Sequence, residues 1–96
     1  MRPSEAIKGK EEQIRALAAK YNTTNPRLFG SVLHGTDTDT SDVDILVDPL
    51  PGTTLFHLGG LQIELLDLLG VDVDVKTPGD LHRSFKDDVL LEASPL

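Results

Sequence analysis

The chain has 96 residues, with 9 Lys and Arg against 16 Asp and Glu, a net charge of −7 and no cysteine. That length suits one domain over residues 1–96 with a modest core. The acid excess argues against a nonspecific nucleic-acid binder, whose affinity rests on neutralising phosphates, and the lack of Cys removes disulfides, thiolate metal sites and Cys nucleophiles.

The N-terminal stretch MRPSEAIKGKEE lacks a signal-peptide core, and no apolar run approaches membrane-spanning length. A cytoplasmic protein without a membrane partner is therefore expected. Ser4 is a candidate N-cap, and Ile14, Leu17, Ala18 and Tyr21 keep the 3/4 spacing of one buried helical stripe. Gly9 weakens the first half of that helix. Asn22 to Pro26 reads as a turn cluster, and Arg27-Leu28-Phe29 as a short strand delivering Gly30-Ser31.

Val32 to Gly35 fits a short helical turn closed by glycine, and Thr36 to Ser41 a polar loop. From Asp42 to Asp48 the pattern alternates, with Asp42, Asp44 and Leu46 on one face and Val43, Ile45 and Val47 on the other. After Pro49 to Gly52, Thr53 or Thr54 caps a helix whose core stripe is Leu58, Leu61, Leu65, Leu68 and Leu69, and Gly70 stops it. Val71 to Val75 is a second alternating strand with Asp72 and Asp74 on one side. A turn at Thr77 to Asp80 leads to a last helix over Phe85 to Ala93. The order α-β-α-β-α-β-α predicts a small α/β (α+β) fold, a mixed sheet with helices mainly on one face.

Asp is a poor strand former, yet Asp42, Asp44, Asp72 and Asp74 fall in the two best strands. Clustered carboxylates repel, and burial adds a desolvation cost; a divalent cation relieves both. A merely solvated strand face is the plainer explanation for either pair alone. Its weight falls because Gly30-Ser31 stands upstream of Asp42 with ten residues between them. A glycine lets backbone approach a phosphate, and the helical turn after it offers free N–H groups. Phosphate cradle, loop and Asp-x-Asp together suit a nucleoside triphosphate handled on a metal ion.

Gly30-Ser31-x-x-x-Gly35-x5-Ser41-Asp42-x-Asp44-x-x-Val47 resembles the signature of the DNA polymerase β-like nucleotidyltransferases. The small size, with Val73-Asp74-Val75-x-Thr77-Pro78, resembles the minimal nucleotidyltransferases. The resemblance runs from Phe29 to Leu96. It implies that fold, with Asp42, Asp44 and Asp74 as catalytic, Mg2+-binding carboxylates and Gly30 and Ser31 at the nucleotide phosphates. It further implies an antitoxin that transfers AMP from ATP to a tyrosine of a cognate HEPN ribonuclease toxin. An antitoxin that binds nucleotide but blocks the toxin by occlusion stays open beside it, whereas a small-molecule acceptor lacks a binding domain. Where the family's turn commonly continues x-Ala-Arg-Gly, this chain has Val32-Leu33-His34-Gly35. His34 could supply part of the arginine's charge when protonated.

Other residues carry weaker signals. Asp72 is the rival to Asp74 and is placed as solvated. Asp37-x-Asp39-x-Ser41 opens like an EF-hand, but the sixth position is Asp42 instead of Gly and the twelfth Asp48 instead of Glu. Asp37 and Asp39 are therefore expected to be loop solubilisers, Lys76 a solvated strand-end lysine, and His57 and His82 residues with no evident partner.

Overall fold

Residues 1–96 are all described by the computed structural model, and they form five helices and four strands. In chain order these are α1 (Pro3–Ala6), α2 (Glu11–Lys20), β1 (Thr23–Phe29), α3 (Gly30–His34) and β2 (Val43–Pro49). α4 (Leu55–Leu69), β3 (Val73–Lys76), a 3-10 turn (Pro78–Asp80), α5 (Arg83–Glu92) and β4 (Ser94–Pro95) follow. The sheet order is β3-β2-β1-β4; β1 runs antiparallel to both β2 and β4, and β2 and β3 are parallel. The mixed α/β architecture expected from the pattern is the one observed.

The core lies between the sheet and α2 and α4. Ile14 from α2, Leu61 and Leu65 from α4, and Val43, Ile45 and Val47 from β2 are wholly buried. These are the residues that the 3/4 and period-2 spacings single out, because each periodicity lines up one face of its element. α4 is capped as expected: Thr54 Oγ1 accepts from the His57 N–H, His57 Nδ1 accepts from the Thr54 N–H at 2.9 Å, and Gly70 closes the helix at φ 69°. His57 and His82 are thus helix caps, the latter accepting from the Ser84 N–H at 3.1 Å. No helix is long and apolar enough to cross a membrane.

Apart from shifts of one or two residues at the ends of β2, β3 and α5, three features differ from the sequence expectation. Gly9, at φ 76°, lies in the turn between α1, which ends at Ala6, and α2, so the N-terminal helix is split in two. The turn cluster at 22–26 is mostly strand: β1 begins at Thr23, and Asn25 (φ 54°) sits in an irregularity of the β1–β2 pairing between Thr24 and Arg27. Turn-forming residues mark the bulge, and tertiary pairing carries the strand through it. The third difference is β4, whose Ser94 and Pro95 pair with Leu28 and Arg27 at an edge that no local pattern announces.

Candidate active site

Register places the acidic residues. Along the parallel β2–β3 ladder Asp44 is opposite Asp74, and the Val43 N–H donates to the Asp72 carbonyl at 2.9 Å. Alternation turns Val43, Ile45 and Val73 into the core, so Asp44 and Asp74 share the opposite face. Both are half-buried; Asp42, just ahead of β2, and Asp72, just ahead of β3, are exposed. Across the antiparallel ladder Phe29 pairs with Asp44, which brings the start of α3 beside that carboxylate. Gly30 has φ 75°, and a Cβ there would run into the Asp44 Oδ2 and lie 3.1 Å from its Cγ. Only glycine fits both the backbone and the space.

Burial holds the Asp44 carboxyl above the usual carboxylate range, the charges of Asp74 and Asp42 push it further up, and Lys76 opposes them. This is how a carboxylate group behaves when its charge is incompletely balanced. Lys76 Nζ stands 3.3 Å from Asp74 Oδ2. As placed, no three His, Asp or Glu side chains stand close enough together to hold a metal ion. The donor set is nevertheless all carboxylate oxygen, the chemistry that Mg2+ takes, and Asp44 lacks the counter-charge that Asp74 finds in Lys76. The residues fit a divalent cation by type, charge and strand position.

Around this group, Ser31 lies half-buried in the first turn of α3, where N–H groups have no acceptor within the helix. His34 Nε2 is 3.0 Å from Glu92 Oε2, so this exposed histidine links α3 to α5. Asp37 corrects an expectation. It is only 5% exposed, and its carboxylate accepts from the Ser4 N–H at 3.0 Å, which lowers its pKa. It anchors α1 to the loop ahead of Asp42 and is no solubiliser. Lys76 is the residue underweighted by sequence alone; its i, i+2 spacing from Asp74 on a strand was the available signal. A cavity of about 340 Å3 is lined by Ser41, Asp72, Leu66 and Met1, among others, and by none of Gly30, Ser31, Asp42, Asp44 and Asp74.

Comparison with known proteins shows the family and the fold. Residues 10–96 match the family described as nucleotidyltransferase domain. MJ0435 of Methanocaldococcus jannaschii, named as a protein adenylyltransferase, is 36% identical over 83 residues, 86% of this chain and 89% of that one. MJ0126 of the same organism, similarly named, is 35% identical over 71 residues, covering 74% of this chain and 72% of that one. Among solved structures, one described as a minimal nucleotidyltransferase superposes with a TM-score of 0.86 at 35% identity, over 97% of this chain and 95% of that one. A toxin–antitoxin structure with AMP-PNP shares the fold at 24% identity, TM-score 0.73, over 88% of this chain and 70% of that one. The chain belongs to the nucleotidyltransferase domain family, within its minimal nucleotidyltransferases, and is a nucleotidyltransferase.

Proposed function

We propose that the chain is an antitoxin that transfers AMP from ATP to a tyrosine hydroxyl of a HEPN ribonuclease toxin, with Mg2+ held by Asp42, Asp44 and Asp74. The observation that carries this reading is the alignment of Asp44 with Asp74 next to a glycine whose missing side chain makes room for the Asp44 carboxylate. The protein adenylyltransferase names of its relatives support protein as the acceptor class. The toxin assignment draws on the motif resemblance; a toxin–antitoxin protein has the same fold.

In this reading Gly30 and Ser31 orient the triphosphate, with backbone N–H groups and the Ser31 hydroxyl directed at its oxygens. Magnesium ions would neutralise the phosphate oxygens and lower the pKa of the attacking hydroxyl. Asp42 and Asp44 fix the α-phosphate relative to the acceptor. Asp74, once released from Lys76, takes the proton as the tyrosine oxygen bonds to the α-phosphorus and pyrophosphate departs. Lys76 is then free to face the phosphates.

Incubation with a purified cognate HEPN ribonuclease, ATP and Mg2+, followed by intact-mass measurement of the ribonuclease, tests this. A gain of one AMP group with loss of ribonuclease activity is expected. Inhibition without a mass change would mean occlusion without transfer.

A further inference from the structure

Two cations lie in one row across the sheet, just below the acidic residues. Register sets Leu46 opposite both Arg27 on β1 and Lys76 on β3, one step beyond the row of Phe29, Asp44 and Asp74. Alternation puts Lys76 on the face of β3 that carries Asp74. Arg27 is fixed: it is buried, and its guanidinium donates to the Asn25 carbonyl at 2.7 Å and to Asp48 Oδ1 at 3.0 Å. Lys76 is not. Its side chain is 39% exposed, and Asp74 is its one charged partner.

The ammonium of Lys76 spans both oxygens of that carboxylate, 3.4 Å from Oδ1 and 3.3 Å from Oδ2. Burial, Asp74 and Asp42 push the Asp44 carboxyl up, and Lys76 alone opposes them. A divalent ion ligated by Asp74 needs the same oxygens at a much shorter distance. Two cations cannot share them closely, because their repulsion in a half-buried site exceeds what water would leave of it. A triphosphate offers the ammonium other oxygens, and a flexible four-carbon stem lets it follow them.

We propose that Lys76 is a tethered counter-cation that couples metal to nucleotide: its ammonium holds both Asp74 oxygens until a triphosphate draws it away. The divalent ion then binds firmly only together with the nucleotide, and by linkage each strengthens the other. This rests on the reading that Asp42, Asp44 and Asp74 hold the ion, and it is independent of which protein accepts AMP.

Mn2+, which takes the same oxygen ligands as Mg2+, is the probe. Electron paramagnetic resonance of free Mn2+ gives the metal affinity of the full chain without nucleotide. Calorimetry at saturating Mn2+ gives its affinity for a non-hydrolysable ATP analogue. Lys76→Met should bind Mn2+ about 10-fold more tightly than wild type, and the analogue about 10-fold more weakly. Opposite signs are the signature, since a damaged fold would weaken both. Lys76→Arg keeps the charge and should hold both affinities within about threefold of wild type. Lys8→Met removes an exposed charge from the turn between α1 and α2 and should match wild type. Unchanged or weaker Mn2+ binding in Lys76→Met, unchanged analogue binding in that variant, equal loss of analogue binding in Lys76→Arg, or the same response in Lys8→Met would each overturn the proposal. Asp74→Asn tells the two readings apart. If it binds Mn2+ as wild type does, Asp74 is no metal ligand and the proposal falls with that reading. If it binds Mn2+ more weakly while Lys76→Met equals wild type, the metal reading stands and the role of Lys76 alone is refuted.

Discussion

The carboxylate of Asp44 occupies the space that a side chain at position 30 would need. One residue of β2 and one at the start of α3 are thereby locked to each other, since Phe29 pairs with Asp44 and Gly30 turns away at φ 75°. Gly30→Ala should cost about 1–3 kcal/mol, from backbone strain and displacement of the carboxylate. Combining it with Asp44→Gly should recover part of that loss in urea titrations, leaving the strain. An additive double variant would show that the two positions are uncoupled.

Asp44→Asn should abolish AMP transfer, by at least about a hundredfold, while leaving the melting temperature equal or a few degrees higher. The reason is the half-buried charge facing Asp74 and Asp42, which the substitution removes. Circular dichroism melts beside a transfer assay check both halves. A marked loss of folding would instead give Asp44 a structural role.

Asp74 and Asp72 differ in position although they alternate on one strand sequence. Asp74 lies opposite Asp44, and Asp72 is exposed ahead of the strand. Added Mg2+ with an ATP analogue should raise the melting temperature of wild type and of Asp72→Asn, and fail to do so for Asp74→Asn. An equal thermal shift in all three proteins would remove Asp74 from the proposed metal ligands.

Adjacent glycines in α4 should respond oppositely to the same change. At Gly59 an added Cβ meets nothing, so Gly59→Ala should stabilise by about 0.5–1 kcal/mol through helix propensity. At Gly60 it would lie 2.5 Å from Tyr21 Cε1, forcing α2 and α4 apart, so Gly60→Ala should destabilise. Tyr21 is also held by its hydroxyl's bond to Glu64, which limits its retreat. Chemical denaturation of both variants gives the signs directly.

Asp37 should shape the acid limb of stability. Its folded pKa is lowered, chiefly by the Ser4 N–H, so the native state binds fewer protons than the unfolded one. Its contribution is present above the unfolded value of about 3.9 and is lost as pH falls through the lower folded value. Asp37→Asn should lower stability at neutral pH and flatten the decline below about pH 4. Parallel acid limbs in the two proteins would contradict this.

What the amino-acid order settled by itself is local and periodic. The core stripes of α2 and α4, the alternating faces of β2 and the glycine stops at 35 and 70 follow from side-chain period and backbone sterics, which act within one element. The acidic residues and the Gly30-Ser31 turn could be named from spacing. Tertiary structure decided the pairings: Asp44 opposite Asp74, Asp44 above Gly30, Lys76 on Asp74, Asp37 under Ser4, and β4 on the sheet edge. Each depends on strand register or packing between residues distant in the chain, and no local propensity contains that information.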